Sequence, residues 1–123
     1  MINSRLILRH NRATAELNEY LLNEARYIRN DTDVLPTVIV DCLVATPLGE
    51  MLPVKVEMCE GYSEEIEGNC KLGCTVSQID KDGVKHVLFV TCFDTSTMTT
   101  LQAIMSAGHL AGDFIKFYFK GGK

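Results

Sequence analysis

One histidine lies where its side chain could bind an anion. His10 falls between Arg9 and Arg12, at the point where a short apolar run ends and a helical pattern begins, with Asn11 as a suitable N-cap. The first N–H groups of a helix have no partner within the helix and lie at the positive end of its dipole, which stabilises phosphates and other anions. Two guanidinium groups would add charge-assisted hydrogen bonds. We therefore predict an anion contact at Arg9, His10 and Arg12.

The other reactive residue types do not form a catalytic pattern. The sequence has no Gly-x-Gly-x-x-Gly, no Walker loop, no His-Glu-x-x-His and no Gly-x-Ser-x-Gly. His86 falls in a strand-like run and His109 near the end of a helical pattern, where a histidine is usually structural. Helix capping accounts for the hydroxyl residues between 95 and 100. We predict no catalytic residue and favour a non-enzymatic protein.

The cysteines predict free thiols rather than a metal site or a disulfide framework. The chain has five of them: Cys42, Cys59, Cys70, Cys74 and Cys92. Only one close pair is present, whereas zinc knuckles have a close pair at both ends. The odd number and the absence of a secretion signal favour a reducing compartment, and buried thiols behave as small apolar groups. We expect a cytoplasmic protein without metal or cofactor.

Charge is distributed unevenly along the chain. Residues 1–30 contain all five arginines and three acidic residues, a net charge of +2, whereas the remainder has seven lysines and thirteen acidic residues, a net charge of -6. Five glutamates fall between residues 57 and 67 with no basic residue among them. An acidic body repels phosphate backbones, so nucleic-acid binding is disfavoured. We expect a solvated acidic loop at 57–67, with docking of a basic partner as the alternative.

The length and composition fit one globular unit. A chain of 123 residues, with 46% apolar and 23% charged residues, predicts a single domain over residues 1–123. No apolar run approaches the roughly 20 residues that a membrane helix needs. The sequence thus predicts a soluble protein that does not bind membranes.

Hydrophobic periodicity predicts eight elements in the order β-α-β-β-β-β-α-β. Strands are expected near 4–9, 37–45, 54–58, 74–79, 84–93 and 114–120, and helices from about 12 to 29 and from a cap at 94–96 to Gly108 or Gly112. The economical arrangement is an α+β fold, in which a largely antiparallel sheet of about five to six strands carries both helices on one face.

Two partial resemblances overlap in the second half of the chain. The run 10–15, with the segment 99–112, resembles the His-x-Arg site and second helix of the bacterial phosphocarrier HPr, which implies phosphoryl transfer through His10. The run 84–117 is similar to the strand-helix-strand portion of OB-fold single-stranded DNA-binding proteins, which implies nucleic-acid binding. Because unrelated families resemble one segment, the sequence assigns the chain to neither.

The leading prediction is a small non-enzymatic binding or assembly module. It would act through contacts with a protein partner or as a homo-oligomer, and would bind a small anionic ligand beside the first helix. An exposed terminal strand containing Phe114, Phe117 and Phe119 is the expected assembly edge. An HPr-like phosphoryl carrier and an OB-type single-strand binder are the alternatives.

Overall fold

A computed structural model of the protein describes residues 6–25, 38–60, 70–94 and 99–120. Its elements, in chain order, are β1 (Leu6–Arg9), a 3-10 turn (His10–Arg12), α1 (Ala13–Ala25), β2 (Val38–Ala45), β3 (Met51–Glu60), β4 (Cys70–Ile79), β5 (Lys85–Asp94) and α2 (Thr100–Tyr118). The five strands form one mostly antiparallel sheet beside two helices. The α+β class predicted from the sequence is confirmed.

The sheet has a simple order, β1-β2-β3-β4-β5, so β1 and β5 are its two edges. β1 runs parallel to β2, with Leu6 opposite Cys42, and α1 lies between these two strands in the sequence, as a parallel connection requires. β2 to β5 form an antiparallel meander. Pro53 lies inside β3, but before the first residue that pairs with β4, so its missing N–H does not interrupt that ladder.

One face of the sheet is covered by the helices. Alternate residues of the central strands point to this face, as the period of two in their sequences predicts. They join the inner residues of both helices in one buried cluster: Leu8, Val40, Cys42, Val44, Val54, Val56, Met58, Leu72, Cys74 and Val76 from the strands, and Ala13, Leu17, Leu21, Ala103, Ile104, Ala107, Ala111, Ile115 and Phe119 from the helices and the residue that follows α2. Both helices therefore pack on the same side, as predicted.

The opposite face, which we call the open face, carries the other residues of each strand. It includes large apolar side chains that are about half exposed or more: Ile7, Ile39, Val87 and Val90. One cross-strand row runs from Ile39 through Glu57 and Thr75 to Val90. None of the described helices covers this face, because the helices lie on the other one.

The predicted terminal strand at 114–120 is wrong, since residues 114–118 continue α2. The alternating apolar residues there also satisfy a helical period: Ile115 and Phe119, four residues apart, are buried, whereas Phe117 is 68% exposed. The prediction that the helix ends at Gly108 or Gly112 is also wrong, since both glycines lie buried within α2. The helical period prevails because the sheet and α1 together bury one stripe of α2.

Both predicted helix caps are wrong in position. Asn11 lies inside the 3-10 turn, which has no side-chain cap, and α1 begins at Ala13. The N-cap of α2 is Thr99, whose hydroxyl accepts from the N–H of Gln102 while the Gln102 side chain accepts from the N–H of Thr99. Of the expected caps, Asp94 ends β5, and residues 95 and 96 lie outside the described residues.

Candidate functional site

The predicted anion site lies where β1 and β2 end side by side. Arg9 is opposite Ala45 in the parallel pair, which places His10 beside the Ala45 carbonyl, with 3.3 Å between the His10 Nδ1 and that oxygen. Because a carbonyl only accepts, this contact requires the proton on Nδ1 and leaves Nε2 as the second ring nitrogen. His10 is half-buried, so its imidazole is held against the sheet rather than fully displayed.

A carboxylate of the chain already occupies part of this site. Glu16 Oε1 accepts a hydrogen bond from the backbone N–H of Arg9 at 2.8 Å. Arg12 and Glu16 are four residues apart but form no ion pair, since among the described residues no carboxylate lies within 4.0 Å of the Arg9 or the Arg12 guanidinium. The three predicted residues are consecutive or nearly so, and both arginines are exposed. Anion contact at Arg9, His10 and Arg12 stays a prediction.

A polar cluster that the sequence did not predict joins the two helices. The Thr14 hydroxyl donates to Asp113 Oδ1 at 2.5 Å, and His109 Nε2 lies 3.3 Å from Asp113 Oδ2. The carboxylate stands between the hydroxyl and the imidazole, so His109 cannot take the hydroxyl proton directly, as a general base for nucleophilic attack must. The cluster ties α1 to α2, and its members are 99 residues apart in sequence, so no local pattern could have revealed it.

The helices cross closely at two glycines of α2. A Cβ on Gly112 would lie 2.5 Å from the Thr14 Cα, and one on Gly108 would lie 2.3 Å from Leu21 Cδ1. Glycines four residues apart share one helix face, so together they form a groove for α1. Asn18 Oδ1 is buried nearby and has no hydrogen-bond partner among the described residues.

The thiols differ in environment. Cys42 and Cys74 are buried and free. Burial raises the pKa of the Cys42 thiol to about 12, with a smaller contribution from the Asp41 carboxylate. Burial likewise raises the pKa of the Cys74 thiol to about 12, with a smaller contribution from Cys59. Cys59 is free and exposed. Cys92 is disulfide-bonded, so the prediction of a free thiol there is wrong. Sequence spacing does not reveal which cysteines the folded sheet brings into bonding distance.

The β4–β5 hairpin ends in a hydrogen-bonded turn. Gly83 has a φ of 82°, a conformation that glycine adopts readily and that tight hairpin loops require. Asp80 Oδ1 accepts from the N–H groups of Asp82 and Val84 at 2.9 Å, and Asp80 Oδ2 lies 2.7 Å from His86 Nε2. The His86 hydrogen bond, then the backbone bond from Val84, lowers the pKa of the Asp80 carboxyl. His86 thus has a structural partner.

The acidic segment is only partly described. Glu57 lies in β3 and its Oε1 is 2.9 Å from Lys85 Nζ, so this glutamate is paired across the sheet rather than solvated in a loop. The remainder of the predicted loop, from residue 61, lies outside the described residues.

A small cavity opens between the β2–β3 hairpin and the end of α2. Its lining is Thr46, Leu48, Glu50, Leu52, Gln78, Tyr118 and Phe119. Its volume of about 180 Å³ is below the roughly 300–1,000 Å³ of typical small-molecule pockets. It offers no cluster of ionisable groups for catalysis.

Apolar side chains of the β5 edge and of the adjoining side of α2 form a group that we call the β5 flank. Its members are Val87, Phe89, Val90, Leu110, Phe114, Phe117 and Tyr118. The Phe89 and Phe114 rings stack with centroids 5.0 Å apart, and Phe114 stacks on Tyr118 at 5.2 Å, which connects the sheet layer to the helix layer. Leu110, Phe114 and Phe117 recur at helical spacing, on the side of α2 away from α1.

The described residues define an α+β protein with one helix-covered and one open sheet face. Among them, no three or more His, Cys, Asp or Glu side chains are grouped as metal ligands would be. No helix in those same ranges is both long and apolar enough to span a bilayer. Comparison with protein-family models, curated proteins and solved structures finds no match to this chain.

Proposed function

We propose that this protein is a small non-enzymatic binding or assembly module that acts through protein–protein contacts. The observation that carries the proposal is the amount of apolar side chain left exposed on the open face and the β5 flank. Val90 is 64% exposed and Phe117 is 68% exposed, at the two layers of the same end of the molecule. Contiguous exposed apolar surface is typical of protein interaction sites.

The charges of the open face also favour a protein partner. Lys85 pairs with Glu57 at 2.9 Å, and Lys55 lies 4.0 Å from Asp41. Lys55 and Lys85 thus each have an acidic neighbour, and among the described residues the unpaired positive charge of this face is confined to Arg9 at the β1 edge. Interface cores are depleted in charge and rich in aromatic residues, as the β5 flank is.

The test compares the wild type with a variant that carries lysine at both ends of the cross-strand row from Ile39 to Val90. The quantity compared is the amount of complex that each forms with a partner or with itself. Native mass spectrometry and mild cross-linking should show a wild-type complex, and Ile39→Lys combined with Val90→Lys should reduce it at least tenfold. The control is Leu22→Lys, which places one lysine at a half-exposed leucine of α1, on the other layer. A complex that the double variant retains, or a wild type without any partner, would refute the proposal.

A second candidate is anion binding at Arg9, His10 and Arg12. It is supported by the two exposed guanidinium groups, which lie beside His10 and have no carboxylate partner among the described residues. Inorganic phosphate should shift the His10 ring resonances in wild type and shift them less in Arg12→Gln. No change with phosphate would contradict it.

The two family-based alternatives have separate tests. An HPr-like carrier requires an acid-labile phosphohistidine that His10→Ala abolishes, and unchanged mass after exposure to a phosphorylated donor would exclude it. An OB-type binder requires a mobility shift that weakens steeply with salt. The likeness to OB-fold proteins included a strand at 114–117, and those residues are helical in this structure.

A further inference from the structure

We propose that the partner at the β5 flank is a second copy of this chain, paired antiparallel through β5, so that two five-stranded sheets join into one of ten strands. This inference rests on the proposed function and names its partner. The occupant follows from the edge strand, the adjoining helix, the available area and the charges at the strand ends.

β5 is a long edge strand whose protection is limited to one bulge at Leu88. It has ten residues, and among the described strands it pairs with β4 on one side and with none on the other. Edge strands of monomers are normally short or carry charge or proline, as β1 does with four residues and Arg9. Residues 87–93 contain neither charge nor proline. A long, uncharged edge strand of this kind can pair with another strand. A second copy of β5 fits it in antiparallel orientation, because a twofold axis brings the same surface of both copies together.

One irregularity places the twofold axis. The pairing of β4 with β5 shifts between Val76 and Ser77, leaving Leu88 as an extra residue in β5. The regular part of β5 follows it, so the axis belongs near Val90, which then lies against its own copy. Such an axis brings the Lys85 end of one strand to the Asp94 end of the other, so unlike charges meet at both ends. It also keeps the hairpin turns of the two copies apart.

The helix layer supplies the additional area that a dimer needs. Nine paired residues of β5 extend over roughly 30 Å. The sheet layer and the helix layer are about 10 Å apart, so together they are roughly 20 Å deep. The product of this length and depth is a contact of about 600 Å² per copy. Stable interfaces begin near 1,200 Å² in total, so the strand alone is too small and the strand with α2 is just sufficient. Phe117 and Leu110 are the exposed apolar residues of α2 on that flank. The dimer should therefore dissociate on dilution.

The experiment is light scattering of the full chain over a range of concentrations. Wild type should approach twice the chain mass of 13.7 kDa, and Val90→Lys should remain monomeric. Ile39→Lys is the matched control, because Ile39 stands in the same cross-strand row on β2, two strands away from β5. Phe117→Ser should weaken the dimer at least tenfold, since it removes the helix-layer contact without adding charge. Circular dichroism checks that each variant is folded.

The outcomes separate this inference from the proposed function. A wild-type monomer that binds another protein, with loss of binding in Val90→Lys, overturns the dimer and leaves the binding module standing; the occupant is then an extended segment of that protein. A wild-type monomer without any Val90-sensitive partner overturns both. A dimer that Ile39→Lys dissociates as strongly as Val90→Lys places the contact on the open face and also overturns the β5 pairing. Amide exchange of β5 that slows with concentration, while β1 does not change, supports it.

Discussion

Replacement of Gly112 by alanine tests whether the two helices cross as closely as the structure requires. The added Cβ would meet three backbone atoms of the Ala13–Thr14 peptide in α1, at 2.5 Å from the Thr14 Cα, 3.0 Å from the Thr14 N and 3.2 Å from the Ala13 O. Ordinary contact begins at 3.4 Å, so α1 must move away by about 0.9 Å at that point. Backbone cannot rotate aside as a side chain can, and the separation would loosen the buried residues between the helices.

Two opposing contributions determine how much Gly112→Ala changes the free energy of unfolding. Overpacking of a well-packed site costs about 1–3 kcal/mol, and a backbone obstacle belongs at the upper end of that range. Alanine in place of glycine in a helix returns about 1 kcal/mol. We therefore expect a net loss of about 2 kcal/mol in the free energy of unfolding, which lowers the Tm by roughly 6–10 °C in a chain of this size.

The assay is urea and thermal unfolding followed by far-UV circular dichroism. Gly108→Ala is the matched comparison, because its closest obstacle is the end of the Leu21 side chain, which can change rotamer. Gly112→Ala should therefore cost more than Gly108→Ala. If Gly112→Ala is as stable as wild type or more so, helix propensity outweighs the clash and the close crossing of α1 and α2 is refuted.

Three further predictions concern other parts of the molecule. His86→Gln should raise the pKa of Asp80 towards its ordinary value in an NMR titration; in wild type the lowered pKa means that the Asp80 contribution to stability is present above the ordinary carboxyl pKa and lost as pH falls through the lowered one, and an unchanged Asp80 titration would contradict this. Cys59 should be alkylated within the native protein while Cys42, buried and with a pKa of about 12, reacts only after unfolding; equal rates by mass spectrometry would show that the Cys42 site is open. Thr99→Ala should lower the free energy of unfolding by about 1 kcal/mol, with Thr99→Ser close to wild type, and equal losses in both would argue against a capping hydroxyl.

Local pattern was sufficient for most of the fold. The nearly continuous apolar run at 37–45 predicted a central strand. The alternating apolar residues at 54–58 predicted a half-buried strand, because side chains of a strand point alternately to its two sides. The helical spacing of Ala13, Leu17 and Leu21 predicted α1, and all three are buried on its inner side. The turn at Gly83 was recognisable because few other residues adopt a positive φ. These features depend on neighbours in sequence, so the α+β class followed from them.

Other features depended on contacts between distant residues. The run 114–120 fits a strand and a helix equally well by its own pattern, and only its packing against the sheet and α1 decides for the helix. The N-cap of α2 is a different case. Thr99 and Gln102 have the spacing of a capping box, so a local signal for the start of this helix is present in the sequence. The sequence identified Arg9, His10 and Arg12 as neighbours, but not the carboxylate of Glu16 on the Arg9 N–H.

What the sequence determined by itself was the set of elements, because periodicity and turn chemistry act over a few residues. Only the tertiary structure decided which surfaces remain exposed. Val90 and Val76 are both strand valines, yet Val76 is fully buried beneath the helices and Val90 is 64% exposed on the open face of an edge strand. The physical reason is that burial depends on which strand becomes an edge and which face the helices cover. Strand order and helix placement are properties of the assembled chain.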